Sequence, residues 1–325
     1  MRRGSKLGYL VAGVVVGLAF GSIVWVARGV QPQAGDETWI PTPASIPDDG
    51  KLRILVLGAH PDDAELKGGG AGAMWAALGH HVKFISLTNG DIGHWNMSGG
   101  PLAMRRNAEV QESKGILGIS EVEVWDVHDG ELMPTLELRR KLVRNIRQWG
   151  ADLIIGHRPS DYHPDHRYVG VLMQDAAYMV TVPHFEPLVP YLTKNPVFMF
   201  SVDGFERPNP HRGDVVIDIG PVIDKKLNAL AALESQFLEG GCCNPQPIAA
   251  NDADRQRGLE RVRNGFARRF EQWANQYRDR LTVLYGPQRG AAVRYAEAFE
   301  VCEYGTQPDA AMLRTLFPFE GLTFE

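Results

Sequence analysis

Two short stretches of the chain concentrate the residue types that do hydrolytic chemistry. "AHPDD", Ala59–Asp63, places a histidine and two adjacent aspartates at the end of an apolar run. "HRPSDYHPDH", His157–His166, places three histidines and two aspartates within ten residues. Adjacent carboxylates repel, so a folded site that gathers Asp62 and Asp63 needs a compensating cation. Imidazole and carboxylate are the usual ligands of hydrolytic zinc, which takes three protein groups and keeps a position for water. His60 and Asp63, three residues apart in a turn, with His166 from the second stretch, make such a set for one zinc per chain. Asp62 is then left over beside a ligand, placed to act as general base on a zinc-activated water. His163, three residues before His166, is expected to face the substrate as acid or oxyanion stabiliser, with Asp165 accepting from its ring.

The elements around these stretches fit that convergence. Strands are predicted over Leu52–Gly58, His81–Thr88, Glu121–Asp126 and Asp152–Gly156. Helices are predicted over Gly70–Leu78, Leu102–Leu117, Leu136–Trp149 and His166–Met179. Such alternation predicts an α/β, Rossmann-like fold: a mostly parallel sheet with helices on both faces. Ligands bind such sheets at the carboxyl ends of the strands, where His60 and His157 both fall. Beyond Pro183 the pattern loosens to a strand at Val215–Ile219, helices at Val222–Leu238 and Asp254–Arg280, and a last strand at Tyr295–Glu303. The glycines of Gly68–Ala73 resemble a dinucleotide fingerprint. Nine residues, Ala59–Lys67, separate them from their strand, which argues against that use and for close helix–sheet packing or room for substrate.

The chain has 325 residues, of which 44% are hydrophobic and 22% charged, an ordinary globular composition. A net charge of -5 with no basic block argues against a nucleic-acid partner. At the N-terminus, basic Met1–Lys6 precedes Leu7–Ala27, 21 residues without a charge and long enough to span a bilayer as a helix. The reading is a membrane anchor over 1–28, a Pro-rich tether over 29–50 and a catalytic domain over 51–325. The balance of basic residues places that domain on the non-cytoplasmic side. Ala19-Phe20-Gly21 keeps open a cleaved signal peptide and a secreted protein. Cys242, Cys243 and Cys302 have no zinc-finger spacing and read as loop or buried residues, with a disulfide open.

"AHPDD", "TNGD", "RNAE", "DGEL" and "HRPSDYHPDH", spread over Leu52–Gly170, with "YAEAF" near the end, resemble the LmbE-like, PIG-L-type zinc de-N-acetylases. The resemblance implies removal of an acetyl group from an N-acetylglucosamine-type sugar or glycoconjugate. It also implies zinc on His60, Asp63 and His166, Asp62 as base and His163 as acid or electrophile. Substrate contacts from Asp91, Arg106 and Asp129 are implied as well. On spacing alone, Arg106 and Glu109 equally make a surface ion pair, and Asp91 and Asp129 equally serve turns. The chain departs from the family where Glu234, rather than histidine, precedes Ser235-Gln236. His94–Gly100 and Pro183–Arg212 read as additions that shape the pocket, with His94 a solvated loop residue. Competing functions are a membrane-tethered sugar-binding module without catalysis, and a zinc hydrolase acting on another N-acyl or thiol-conjugated sugar.

Overall fold

The computed structural model of the protein describes residues 40–325. Strand β1 (Arg53–Gly58) leads into α1 (Asp63–Ala77), β2 (His81–Ser86), α2 (Gly99–Leu117), β3 (Glu121–Val124), α3 (Leu136–Trp149), β4 (Leu153–Gly156) and α4 (Pro164–Met179). Then come β5 (Val197–Ser201), β6 (Val215–Asp218), α5 (Ile223–Ala231), a π-helical turn (Glu234–Leu238) and α6 (Asp252–Gln276). The chain closes with α7 (Arg278–Tyr285), α8 (Pro287–Ala292), β7 (Ala296–Gly305) and α9 (Ala310–Leu316).

One seven-stranded sheet has the order β3-β2-β1-β4-β5-β7-β6. β1 pairs in parallel with both β2 and β4, so the chain switches direction of winding between them. That switch opens a crevice beyond the carboxyl ends of β1 and β4. Ile54 and Val56 pack into one face of the sheet with Trp75, Leu227 and Phe270, while Leu55 and Leu57 pack into the other with Leu142, Ile146, Val169 and Leu172. A strand buried on both faces must be apolar throughout, which is why "RILVLG" reads as an unbroken run.

The expected fold requires correction in two respects. The sheet is mixed, because β7 runs antiparallel between β5 and β6. Among the described residues, moreover, no helix is long and apolar enough to cross a membrane. The Leu7–Ala27 run, and with it the proposed transmembrane helix, lies outside the described residues, so the membrane anchor and membrane partner gain no support. An apolar run permits a span without requiring one. The later part of the tether is docked: Ala44 donates to the Tyr191 carbonyl at 2.7 Å. The second predicted late helix ends earlier than expected, at Gln276, and the first divides into α5 and the π turn.

The glycines of α1 serve packing. A side chain on Gly72 would meet Phe84 at 2.9 Å, and one on Gly68 would meet Val56 at 3.1 Å. Beside them a buried ion pair is stitched into the helix. Glu297 on β7 accepts from Gly70 N–H at 2.7 Å and Ala71 N–H at 2.8 Å, while Lys226 on α5 donates to the Leu66 carbonyl at 2.9 Å and to Glu297 itself. Removing one partner of such a pair strands the other charge. Glu297→Ala is expected to cost about 3–5 kcal/mol of stability in chemical denaturation. A loss under about 1 kcal/mol would show that Lys226 finds another partner or water.

Candidate active site

Helix α1 starts earlier than the sequence predicts, at Asp63 itself, with Asp62 in the capping position. Carboxylates at a helix N-terminus are favoured by the unpaired N–H groups and the helix dipole. The turn is further held by Asp63 Oδ2, which accepts from Ala59 N–H at 3.0 Å and His60 N–H at 2.9 Å. Across the crevice, α4 begins with Pro164, and His163 caps it. Both polar stretches thus meet beyond β1 and β4.

Three atoms form a nearly equilateral triangle. His60 Nδ1 lies 3.3 Å from Asp63 Oδ2, His166 Nε2 lies 3.4 Å from the same oxygen, and the two nitrogens are 3.3 Å apart. Donors at tetrahedral corners ~2.0–2.1 Å from a zinc stand about 3.3–3.4 Å from one another. The opposite nitrogen of each ring meets a carboxylate. His166 Nδ1 is 3.1 Å from Asp161 Oδ1, and His60 Nε2 is 3.0 Å from Asp129 Oδ1 and 3.4 Å from Asp165 Oδ2. Carboxylates in that position fix ring orientation and raise ligand basicity.

The electrostatics point the same way. Burial acts to lower the pKa of His166, yet Asp63 and Asp161 carry it up to about 9. His60 is likewise raised well above its ordinary value, because Asp129, Asp165 and Asp63 outweigh its burial. Burial pushes Asp63 up, but the charge of His166 and the hydrogen bonds of His157 and His166 hold it well below the usual carboxylate range. The cluster therefore demands positive charge at its centre, and a divalent ion meets that demand in place of protons.

Asp62 is set apart from the triangle. It is buried, and Arg106 Nη2 donates to its Oδ2 at 3.0 Å. Burial raises its pKa against the pull of Arg106. Arg106 is 2% exposed and also donates to the Gly90 carbonyl at 3.1 Å. The surface pair with Glu109 does not describe it, since Arg105 is the residue that bonds Glu109, at 2.9 Å. Asp91 accepts from His128 and from Asp129 N–H, so it positions the turn that carries Asp129.

His163 has partners other than those expected. Its Nδ1 accepts the backbone N–H of Asp165 at 3.2 Å. The Asp165 carboxylate instead accepts from Gly130 N–H at 2.8 Å and Leu132 N–H at 3.2 Å. Burial, followed by the charges of His60 and His166, pushes the pKa of His163 down. With Nδ1 engaged as an acceptor, the neutral ring carries its proton on Nε2.

His60, Asp62, Asp63, Arg106, Asp129, Asp161, His163 and His166 line a cavity of about 540 Å³, together with the aromatic rings of Tyr162, Phe205, Phe237 and Trp273. Its size is that of a small-molecule site. The Phe205 loop is held by a buried pair, Arg158 to Asp203, at 2.7 and 2.5 Å.

A family profile described as "PIG-L: GlcNAc-PI de-N-acetylase" matches residues 55–177. Diacetylchitobiose deacetylase of Thermococcus kodakarensis is 32% identical over 192 residues, covering 58% of this chain and 71% of that protein. The chain belongs to the PIG-L family. It is an enzyme, and the family's chemistry is the hydrolysis of N-acetyl groups. Another relative, 4-oxalmesaconate hydratase of Pseudomonas putida, is 27% identical over 56% of this chain and 73% of its own length. Among solved structures, the N,N'-diacetylchitobiose deacetylase of Pyrococcus horikoshii superposes with a TM-score of 0.57 at 22% identity, covering 77% of this chain and 83% of that one. GalB, a Pseudomonas putida hydratase, superposes with a TM-score of 0.62 at 20% identity, covering 79% and 99%. These two likenesses establish the fold.

Several residues of the site escaped the sequence reading. Asp161 lies inside the quoted second stretch, but nothing in its spacing singles it out as the partner of His166. His157 is buried with its ring stacked 4.1 Å from that of His166, and its Nε2 is 3.4 Å from Asp63. Burial pushes its pKa down to about 4, so it packs as a neutral ring. His94, expected in solvent, is 7% exposed and sits 3.0 Å from Glu239. Cys242, bonded to its neighbour Cys243, reaches the cavity wall, and Cys302 is buried.

Proposed function

We propose that this PIG-L enzyme removes the acetyl group from an N-acetylglucosamine-type sugar or glycoconjugate, with one zinc held by His60, Asp63 and His166. The observation that carries this reading is the 3.3–3.4 Å triangle of donors with the buried Asp62 beside it. Zinc, when bound there, acts as a Lewis acid on the amide and lowers the pKa of water. Asp62 accepts a proton from the attacking water and passes it to the departing nitrogen. Burial raises its pKa, which moves it in the direction that favours both accepting and returning a proton. Arg106 holds the carboxylate in place. The remaining hydroxyl joins the carbonyl carbon, the carbon–nitrogen bond breaks, and acetate and a free amine result.

His163 then acts as a neutral donor, offering its Nε2–H to the oxygen that gains charge, a role worth on the order of 10²–10³ in kcat. His163→Ala is therefore expected to keep its metal and lose about 10²-fold in kcat. Because a neutral donor keeps its Nε2 proton at high pH, kcat/KM should show no basic limb that the substitution removes. A limb present in the native enzyme and absent from His163→Ala would make His163 a cationic acid, and loss of metal would make it a ligand.

Incubation of the full chain and zinc with N-acetylglucosamine, diacetylchitobiose, glycolipids and glycopeptides tests the whole reading. Acetate and amine in equal amounts are expected. Zinc binding without turnover of any of them would favour a binding module.

A further inference from the structure

The two adjacent cysteines have no part in the chemistry above, yet they stand at the cavity. Cys242 and Cys243 are joined by a disulfide, and both are exposed. Cys242 borders the active-site cavity beside Gln236 and Phe237 of the π turn. The third cysteine, Cys302, is buried on β7 with a free thiol. A disulfide that closes a long loop acts mainly on the unfolded chain. One closed over a single peptide bond constrains the few soft dihedrals between its sulfurs, so its effect is on local backbone shape. The pair lies outside the 55–177 stretch matched by the family profile.

That shape is passed to the cavity wall through the residues just before the pair. Gly240 and Gly241 take positive φ of 93° and 62°, a conformation that side chains oppose. Their turn is closed by Gln246 N–H to the Glu239 carbonyl at 2.9 Å and by Gly241 N–H to the Ser235 carbonyl at 3.3 Å. Gln236 packs on Gly241 so closely that an added Cβ would meet its amide nitrogen at 3.1 Å. On the other side, Trp95 donates its backbone N–H to the Gly241 carbonyl at 2.9 Å and its indole N–H to the Glu239 carbonyl at 3.0 Å. The Glu239 carboxylate is itself fixed, accepting from Arg105 at 2.7 and 2.9 Å and lying 3.0 Å from His94. Gly93, next to His94, lines the cavity as well. Two wall segments, Gly93–Trp95 and Ser235–Cys242, therefore converge on the peptide units that adjoin the disulfide.

We propose that Cys242–Cys243 is a redox site, reducible by a dithiol, that sets the shape of this wall and with it the affinity for substrate. A thiolate of the dithiol attacks one exposed sulfur, and its second thiol resolves the mixed disulfide. Two electrons and two protons pass to the protein: the bond between Cys242 and Cys243 breaks, both become thiols, and the dithiol becomes a disulfide. The oxidised pair holds the turn beside Gln236 and Phe237 in one form. Reduction releases the dihedrals between the sulfurs, and ordering the wall then costs substrate affinity. Asp62, Asp63 and His166 stand at the starts of α1 and α4, so the chemical step is spared and the change falls on KM. The kinetic part of the inference rests on the deacetylase reading.

The zinc-loaded full chain is to be oxidised with glutathione disulfide, or reduced with a water-soluble phosphine that takes up oxygen from water, with zinc content measured in both states. Peptide masses after iodoacetamide treatment should show Cys242 and Cys243 unlabelled in the first state and both labelled in the second. Failure of the pair to form its disulfide overturns the inference. With diacetylchitobiose as substrate, reduction should raise KM by about three- to ten-fold, the cost of ordering one or two freed side chains. It should leave kcat within about two-fold and zinc content unchanged. The double variant Cys242→Ser, Cys243→Ser should have the KM of the reduced chain with or without the phosphine. An equal or lower KM on reduction overturns the inference, as does a shift that persists in the double variant. Acetate from no substrate in either state refutes the deacetylase reading alone. Hydrogen exchange then decides the inference: faster exchange on reduction at Trp95 and over 239–246 supports it, and unchanged exchange at both overturns it.

Discussion

Asp62→Asn is expected to keep its zinc and lose about 10²–10⁴-fold in kcat, the usual worth of a general base. The amide has the shape of the carboxylate, and its oxygen still accepts the hydrogen bond that Arg106 gives Asp62 Oδ2 at 3.0 Å. It cannot take up a proton. The three donors of the triangle are untouched, so metal content separates this variant from a ligand variant. Activity within about five-fold of native would remove Asp62 from the mechanism and leave water activation to another group. Metal loss equal to that of Asp63→Ala would make Asp62 a ligand.

Removal of the metal, by chelation or by His60→Ala, Asp63→Ala or His166→Ala, should abolish measurable turnover, and zinc should restore only the chelated native enzyme. Each substitution breaks two of the three 3.3–3.4 Å edges. Asp161→Ala and Asp129→Ala keep the triangle but free one ring each, and should weaken metal affinity by about 10–100-fold. Affinity should also depend on pH with a definite sign. Without metal, His166 holds its proton up to about 9, so binding must displace it. Apparent affinity therefore rises with pH through neutrality and binding releases protons, measurable by titration in buffers of different ionisation enthalpy. Full activity after exhaustive chelation would refute the metal-dependent reading.

The two polar stretches were legible because their chemistry is local. His60, Asp62 and Asp63 are consecutive or nearly so, and the strand before them has the apolar run of a doubly buried segment. The helices α2, α3 and α4 were found within a few residues of their observed limits, since their buried positions recur at three- and four-residue steps. β5 was missed. Its "VFMFS" is wholly buried, but four apolar residues and a serine after Pro196 have no period to distinguish strand from helix. The antiparallel course of β7 was equally illegible, because side-chain alternation is the same in either direction.

Arg106 and Asp165 illustrate the limit most sharply. Sequence spacing offered Arg106 the neighbour Glu109, yet the helix turns Arg105 to Glu109 and buries Arg106 against Asp62, 44 residues earlier. Asp165 adjoins His163 in sequence, yet its carboxylate is held by the turn at Gly130–Leu132 and faces His60. Residue types and short spacings, which follow from the covalent chain, determined the hydrolytic chemistry and the side of the sheet on which it sits. Partner choice among charged groups falls off steeply with distance and with exposure to water. Only the packing of β1 against β4, which brings residues about a hundred positions apart within 3.4 Å and excludes solvent from them, decided which carboxylate serves which histidine.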